Sequence, residues 1–436
     1  MSKPKIVPAA AAEEATVEIT RLVYGGDGLA RRDGKAVFVP LTLPGERARV
    51  ALVERHSGYD RARLLAVETP SPRRVAPGCE YFARCGGCQW QHAPAEDQAQ
   101  LKIEILRETL RRTGGIAWSG PIALHAASPW GYRNRVRLRF SHAAAGPRLG
   151  YFARDSRDLV PVERCPIAAP VIQAAIAAIA PLPPPPESLR EVEILCDAAG
   201  DFLSVEVEAA AAGVFERAYA RELLDAAPSC RSLTLATPAG REVIAGEGGL
   251  EYAVGARRYW VAAGAFFQAN RFLLDELLAV VAAPPAAPSE EGRAVDLFSG
   301  VGFFALPLAE RFAAIAAVEH EPAAVASLRR NLAAAPGVRV HDLSVAEFMD
   351  RSAGPLDLLV ADPPRAGLGA ALVAAIAAAR PGEIRYVSCD PATLARDLKQ
   401  LLAAAPYRLD ALHLFDLFPQ TFHLETVALL HLEEQH

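Results

Sequence analysis

Residues 295–312 read VDLFSGVGFFALPLAERF. A short strand, VDLF, runs into a turn carrying Gly300 and Gly302, and the turn opens a helix. Glycines there let the backbone approach a ligand closely, which is the use that open α/β sheets make of their first strand–helix turn. Outward from this unit the alternation continues. IAAVEH, VRVHDL, LDLLVADPP and IRYVSCD read as strands separated by helices, and two last strands follow near HLFDLF and TVALLHL. The C-terminal third is therefore an α/β unit of Rossmann-like type, a doubly wound parallel sheet with an antiparallel pair at its end.

The strand ends carry the chemistry. Glu319 closes the second strand, 23 residues past Asp296, where a carboxylate accepts hydrogen bonds from ribose hydroxyls. Gly300-x-Gly302-x-x-Ala305 also fits the looser dinucleotide fingerprint, so the turn alone leaves a nicotinamide cofactor open. Asp342 follows the third strand, where an adenine amino group can be recognised, and Asp362-Pro363-Pro364-Arg365 follows the fourth. An acid stiffened by two prolines at a strand end points to S-adenosylmethionine-dependent methyl transfer instead. Each carboxylate taken singly is equally an N-cap for the next helix. Cys389, in YVSCDPATLARDL, stands between the fifth strand and its helix, and the start of that helix is expected to lower its pKa.

The rest of the chain differs in composition. With 436 residues the chain is long enough for about three domains. Residues 16–69 read as short strands and turns, a small β-barrel pattern, and SPRRVAP at 71–77 as a linker. An amphipathic helix is predicted over 93–112. Strand-like runs dominate from about 130 to 262, an α+β region, and APPAAPSEEG at 283–292 precedes the α/β unit. The leader MSKPKIVPAAAAEEAT lacks an apolar core and reads as a disordered tail rather than a secretion signal. Apolar stretches stay near ten residues, short of the ~18 that span a bilayer, so no membrane segment is expected and a cytoplasmic location is.

The net charge is −5, with no global basic signature, yet residues 1–76 hold 13 Lys/Arg against 9 Asp/Glu. In YRNRVRLRF, Arg133, Arg135, Arg137 and Arg139 fall on one face of a strand, a candidate phosphate track or a solvated sheet face. Seven cysteines, an odd number with Cys79, Cys85 and Cys88 crowded together, suit a metal or catalytic role better than a disulfide framework. Spacing alone leaves zinc and an iron–sulfur cluster open. Cys196 and Cys230 read as buried apolar residues.

Five ordered motifs, FFQAN (266–270), DLFSGVGFFALPLA (296–309), DPPRAGL (362–368), YVSCDPATLARDL (386–398) and FPQTFHLETVALL (418–430), resemble the RNA uracil-5-methyltransferases over nearly the whole chain. The resemblance implies a TRAM domain, an OB-like RNA-binding barrel, at 14–72, a central domain at 75–265 and a Rossmann-like methyltransferase domain at 266–436. It implies S-adenosyl-L-methionine held by Gln268, Phe298, Phe303, Glu319, Asp342 and Asp362. Ser299 stands where the family usually has cysteine. A [4Fe-4S] cluster is implied on Cys79, Cys85, Cys88 and Cys165. Cys389 is implied as the nucleophile that adds to carbon 6 of uracil, and Glu425 as the base that takes the carbon-5 proton, with His423 beside it as a structural or rival residue. The implied substrate is 23S ribosomal RNA, with transfer RNA, or a non-catalytic iron–sulfur RNA-binding role, as alternatives. No protein partner is implied.

Overall fold

The structure, a computed structural model, describes residues 5–6, 12–285, 292–351 and 354–433. Of the leader expected as a tail, residues 1–4 and 7–11 lie outside that set, as does most of the 283–292 stretch. Where the leader is described it is not a tail: Glu13–Glu18 is a strand paired antiparallel with Arg47–Arg55. Alternation supplies the reason, since Val17 on this strand enters an apolar core with Ile19, Val37, Val39, Val50 and Leu52.

The described residues fall into two compact units. One contains Met1–Glu108, Phe152–Val160 and Phe418–His423; the other contains Thr109–Tyr151, Pro161–Leu417 and Leu424–His436. The first unit is built on a seven-stranded sheet running from Lys5–Ile6 to Tyr59–Thr69 along the chain. The predicted helix over 93–112 is Ala95–Thr109, continued by a wider turn at Leu110–Gly114 that ends on Gly115 at φ +67°.

The second unit holds two large sheets. In one, Arg135–Phe140, Leu189–Cys196, Leu203–Ala209, Cys230–Thr237 and Gly240–Ala245 lie side by side in that order. Cys196 and Cys230 are buried in it, and burial pushes their thiols up to about 12 and about 11.

The other sheet positions the strand-end residues. Its order is Val338–Asp342, Ala314–Glu319, Arg293–Leu297, Leu358–Ala361, Glu383–Ser388, Glu425–Leu432, Tyr407–Phe415 and Ile122–His125. The first five strands are parallel and the next two antiparallel. Strands covered on both faces must be apolar throughout, and Leu358–Ala361 is buried at every residue. Ile122–His125 closes the edge, parallel to Tyr407–Phe415, and no sequence pattern had indicated it. Among the described residues no helix is long and apolar enough to cross a membrane.

Candidate active site

Parallel register brings the ends of successive strands to one edge of the sheet: Leu297 lies beside Val318 and Ala361, and Glu319 beside Asp342. The chain leaves the first of these strands under strain. Phe298 takes φ +61°, a conformation costly for a residue with a side chain, and Gly300 and Gly302 follow at +56° and +90°. A Cβ on Gly302 would meet Leu328 at 2.9 Å, whereas one on Gly300 would meet nothing within 4 Å. Glycine suits position 302 by its φ of +90° as well as by packing, and the space beside Gly300 is open. Ser299 locks the turn to the next strand: its Oγ donates to the Asp296 carbonyl at 2.7 Å and accepts the Val318 N–H at 3.0 Å. A hydroxyl does both, so the usual cysteine is dispensable here.

The sequence-predicted cofactor residues divide into two sets. Glu319 accepts N–H bonds from Gly300 (2.9 Å), His320 (2.7 Å) and Glu321 (2.9 Å), fixing its carboxylate at the glycine turn. Asp342 is half exposed and pairs with Arg329 at 3.1 Å. Gln268 donates through Nε2 to Asp362 Oδ2 at 3.0 Å. Phe303 is set apart from these, its ring buried with Tyr259, Phe267 and Phe304 and its carbonyl taking the Tyr259 hydroxyl at 3.1 Å.

Electrostatics at this edge are dominated by buried carboxyls. Burial pushes Asp362 up to about 7 against the opposing Gln268 hydrogen bond. Asp296, wholly buried beneath the turn, is raised to about 8 by burial, with the charge of Asp362 adding. Glu425 is buried too and held well above the usual carboxylate range by burial and then by Asp362, while Arg365 pulls it down. A glutamate starting a strand is ordinarily solvent-facing; this one is only 4% exposed.

Cys389 is placed by antiparallel pairing. Ser388 lies opposite Thr426, which brings Cys389, one residue past its strand, beside Glu425, the first residue of the partner strand. The thiol is pushed up to about 12, by burial first and then by Glu425 and Asp362, with Arg365 opposing. This corrects the expectation that the helix start lowers it. Asp390 caps Pro391–Ala404, accepting the Ala392 and Thr393 N–H groups at 2.9 and 3.0 Å, so a carboxylate already occupies the positive end of that helix.

Three further readings come out differently from expectation or extend it. Arg135, Arg137 and Arg139 are ion-paired with Glu191 and Glu193 of the neighbouring strand, so the arginine stripe is a cross-strand charge ladder and not an open phosphate track. His423 packs its ring on Phe422, centroids 4.1 Å apart. Asn134 was overlooked: fully buried, it donates to the Gln268 carbonyl at 2.9 Å and the Tyr252 hydroxyl at 3.0 Å. Its signal was there to read, a polar residue at a core-facing position between Tyr132 and Val136.

Cys79, Cys85 and Cys88 lie half exposed in the first unit, where Cys85 Sγ accepts the Gly87 N–H at 3.4 Å; Cys165 belongs to the second unit. Four thiols are a donor set suited to an iron–sulfur cluster. Among the described residues, no three His, Cys, Asp or Glu side chains are gathered to hold a metal ion.

Comparison with known proteins shows the family. The profile of the tRNA (uracil-5-)-methyltransferase family matches residues 250–433, and that of the TRAM domain residues 12–65. A 23S rRNA (uracil(1939)-C(5))-methyltransferase RlmD from Alkalilimnicola ehrlichii is 33% identical over 97% of this chain and 98% of that protein. The chain belongs to the RNA uracil-5-methyltransferases. It is an S-adenosylmethionine-dependent enzyme of RNA modification. The RlmD of Pectobacterium atrosepticum is 35% identical to this uracil-5-methyltransferase over 98% of the chain and 94% of that protein. The fold is shared with a Pyrococcus abyssi tRNA (uracil-54, C5)-methyltransferase in complex with S-adenosyl-L-homocysteine, at 23% identity and TM-score 0.72, covering 95% of this chain and all of that one.

Proposed function

We propose that this methyltransferase acts on carbon 5 of a uridine in 23S ribosomal RNA, through a covalent bond from Cys389 to carbon 6. The observation that carries the chemistry is the meeting of Cys389, Glu425 and Asp362 at one sheet edge. The ribosomal substrate is supported by the printed names of full-length relatives at 33% and 35% identity.

Carbon 5 of uracil is too weak a nucleophile to be methylated unaided. A thiolate adding to carbon 6 converts the ring to an enolate whose carbon 5 is electron-rich, splitting one hard step into easier ones. S-adenosylmethionine, when bound, supplies an electrophilic methyl group. Gln268, Phe298, Glu319, Asp342 and Asp362 are proposed to bind and orient it, Glu319 beside the glycine turn; Phe303 supports the turn from the core. Cys389 is half-buried and attacks carbon 6 as the thiolate, its proton having passed to solvent. After carbon 5 has been methylated, Glu425 takes the carbon-5 proton, the Cys389–carbon 6 bond breaks, and the ring is restored. Burial holds the Glu425 carboxyl above its usual range, which makes its ionised form a stronger base than an ordinary glutamate.

The rest of the chain serves RNA binding in this reading. The barrel at 14–72 supplies affinity without chemistry, the chemistry belongs to the methyltransferase part at 266–436, and Cys79, Cys85, Cys88 and Cys165 of the central part at 75–265 are the proposed ligands of a [4Fe-4S] cluster. The work is cytoplasmic, where ribosomal RNA is. Mass spectrometry of ribosomal and transfer RNA from a deletion strain tests the substrate. Loss of one 5-methyluridine from 23S RNA is expected; its loss from transfer RNA alone overturns the assignment. Brown, sulfide-containing protein purified without oxygen is expected of the cluster, and stoichiometric zinc without sulfide contradicts it.

A further inference from the structure

The helix after Cys389 does more than cap the thiol's strand. Thr393, Arg396 and Asp397 lie three and four residues apart, hence on one face of Pro391–Ala404, and all three hold the loop after Asp362. Thr393 Oγ1 shares its one proton between the Asp390 carbonyl at 3.2 Å and the Arg365 carbonyl at 3.3 Å, and Arg396 Nη2 donates to the Ala366 carbonyl at 2.8 Å. Asp397, only 1% exposed, accepts the Leu368 N–H at 2.7 Å. The same Oδ2 takes the Tyr386 hydroxyl at 2.9 Å, and Tyr386 is three residues before Cys389 on its own strand. Burial and the Asp397 charge hold the Tyr386 phenol above its usual range, so it remains the donor.

Gly367 sits inside this grip. Its φ is +74°, and a Cβ there would fall 2.4 Å from Asp397 Oδ2, 2.8 Å from Arg396 Nη2 and 2.9 Å from the Thr393 Cβ. The loop is pressed onto the helix face so closely that no side chain fits between. The other oxygen of Asp397, Oδ1, takes Arg396 Nε at 2.8 Å, and a buried carboxylate with three donors is expensive to leave unpaired, so the arrangement is held in one geometry.

We propose that Thr393, Arg396 and Asp397 form a positioning device that sets the Asp362 loop against the Cys389 turn, so that thiol and uracil ring meet at bonding geometry. None of the three touches substrate; they act through Arg365, Ala366, Leu368 and Tyr386. The proposal rests on Cys389 being the nucleophile.

The test uses full-length enzyme, ribosomal RNA from a deletion strain and S-adenosylmethionine. Because misplacement of about 1 Å costs on the order of a hundredfold in rate, Asp397→Ala should lower kcat by about 10- to 100-fold while the KM for RNA stays near wild type. Asp397→Asn keeps an acceptor for the Leu368 N–H and the Tyr386 hydroxyl but loses the Arg396 pairing, so it should recover part of the rate. Gly367→Ala should reproduce the defect, and the double variant should be no worse than either single one, as expected for residues acting as a unit. A folded Asp397→Ala enzyme with wild-type kcat overturns the device. If that variant does not fold, Thr393→Val with Arg396→Ala, at partly exposed positions, must show the kcat loss instead, and wild-type turnover there overturns it equally. Failure of the nucleophile reading is distinguishable, because the wild-type enzyme would then form no cysteine-linked RNA.

Discussion

The side-chain amide of Gln268 donates to Oδ2 of Asp362 at 3.0 Å, the one neutral donor set against a carboxyl that burial holds near 7. The motifs FFQAN and DPPRAGL, nearly a hundred residues apart in sequence, are thus joined by one hydrogen bond. Its net worth is of order 1 kcal/mol, too little to bring Asp362 back to the ordinary carboxylate range.

This sets a pH dependence for stability. The Asp362 carboxyl rises from 3.8 to about 7 on folding, so between those values the folded state holds a proton that the unfolded state has lost. Its contribution to stability is therefore fully present below about pH 4 and is lost as pH rises through about 7. Urea unfolding of wild type and Asp362→Asn should show the variant gaining relative stability between pH 5 and pH 8. A difference that does not change with pH contradicts the assigned shift.

Cys389 should be a slow thiol in the free enzyme. With its pKa pushed up to about 12, alkylation by iodoacetamide, followed on the Cys389 peptide by mass spectrometry, should rise with pH and show no plateau below pH 10. Glu425 is the largest charge raising it, so Glu425→Gln should speed alkylation at pH 8. A plateau near neutral pH, or no response to Glu425→Gln, contradicts this picture.

The arginine ladder makes a negative prediction about RNA. Arg137 and Arg139 already face Glu191 and Glu193, so Arg137→Ala with Arg139→Ala should leave the salt slope of RNA affinity nearly unchanged. Two arginines that each neutralised a phosphate would shift that slope by roughly 1.4 to 1.8. A shift of that size restores the phosphate track.

Much of the site was legible because strand ends announce themselves. Gly300, Glu319, Asp362 and Cys389 each follow an apolar run and precede a helix, and parallel register gathers such positions. The arginine stripe was misread because period 2 tells which face a side chain takes but not what the next strand presents, here Glu191 and Glu193. Asn134 and Asp397 escaped notice because the groups they join, Tyr252 and Gln268 for the one and Leu368 and Tyr386 for the other, lie elsewhere in the sequence and leave no local pattern. The strand Ile122–His125 is four residues of partly exposed sheet edge, too short and too little alternating to register as a strand. The helix-start effect on Cys389 failed for a local reason, since Asp390, the next residue, occupies the same N–H groups.

The separation of the two catalytic roles in time gives the most direct test. Glu425→Gln leaves thiol attack and methyl transfer possible but removes the base that takes the carbon-5 proton. Glu425→Gln enzyme incubated with 23S RNA and methyl-labelled S-adenosylmethionine, then run on a denaturing gel, should give a labelled protein–RNA band. That band should be absent from Cys389→Ala. Normal turnover by Glu425→Gln, or no shifted band in either variant while RNA and cofactor still bind, contradicts the adduct mechanism.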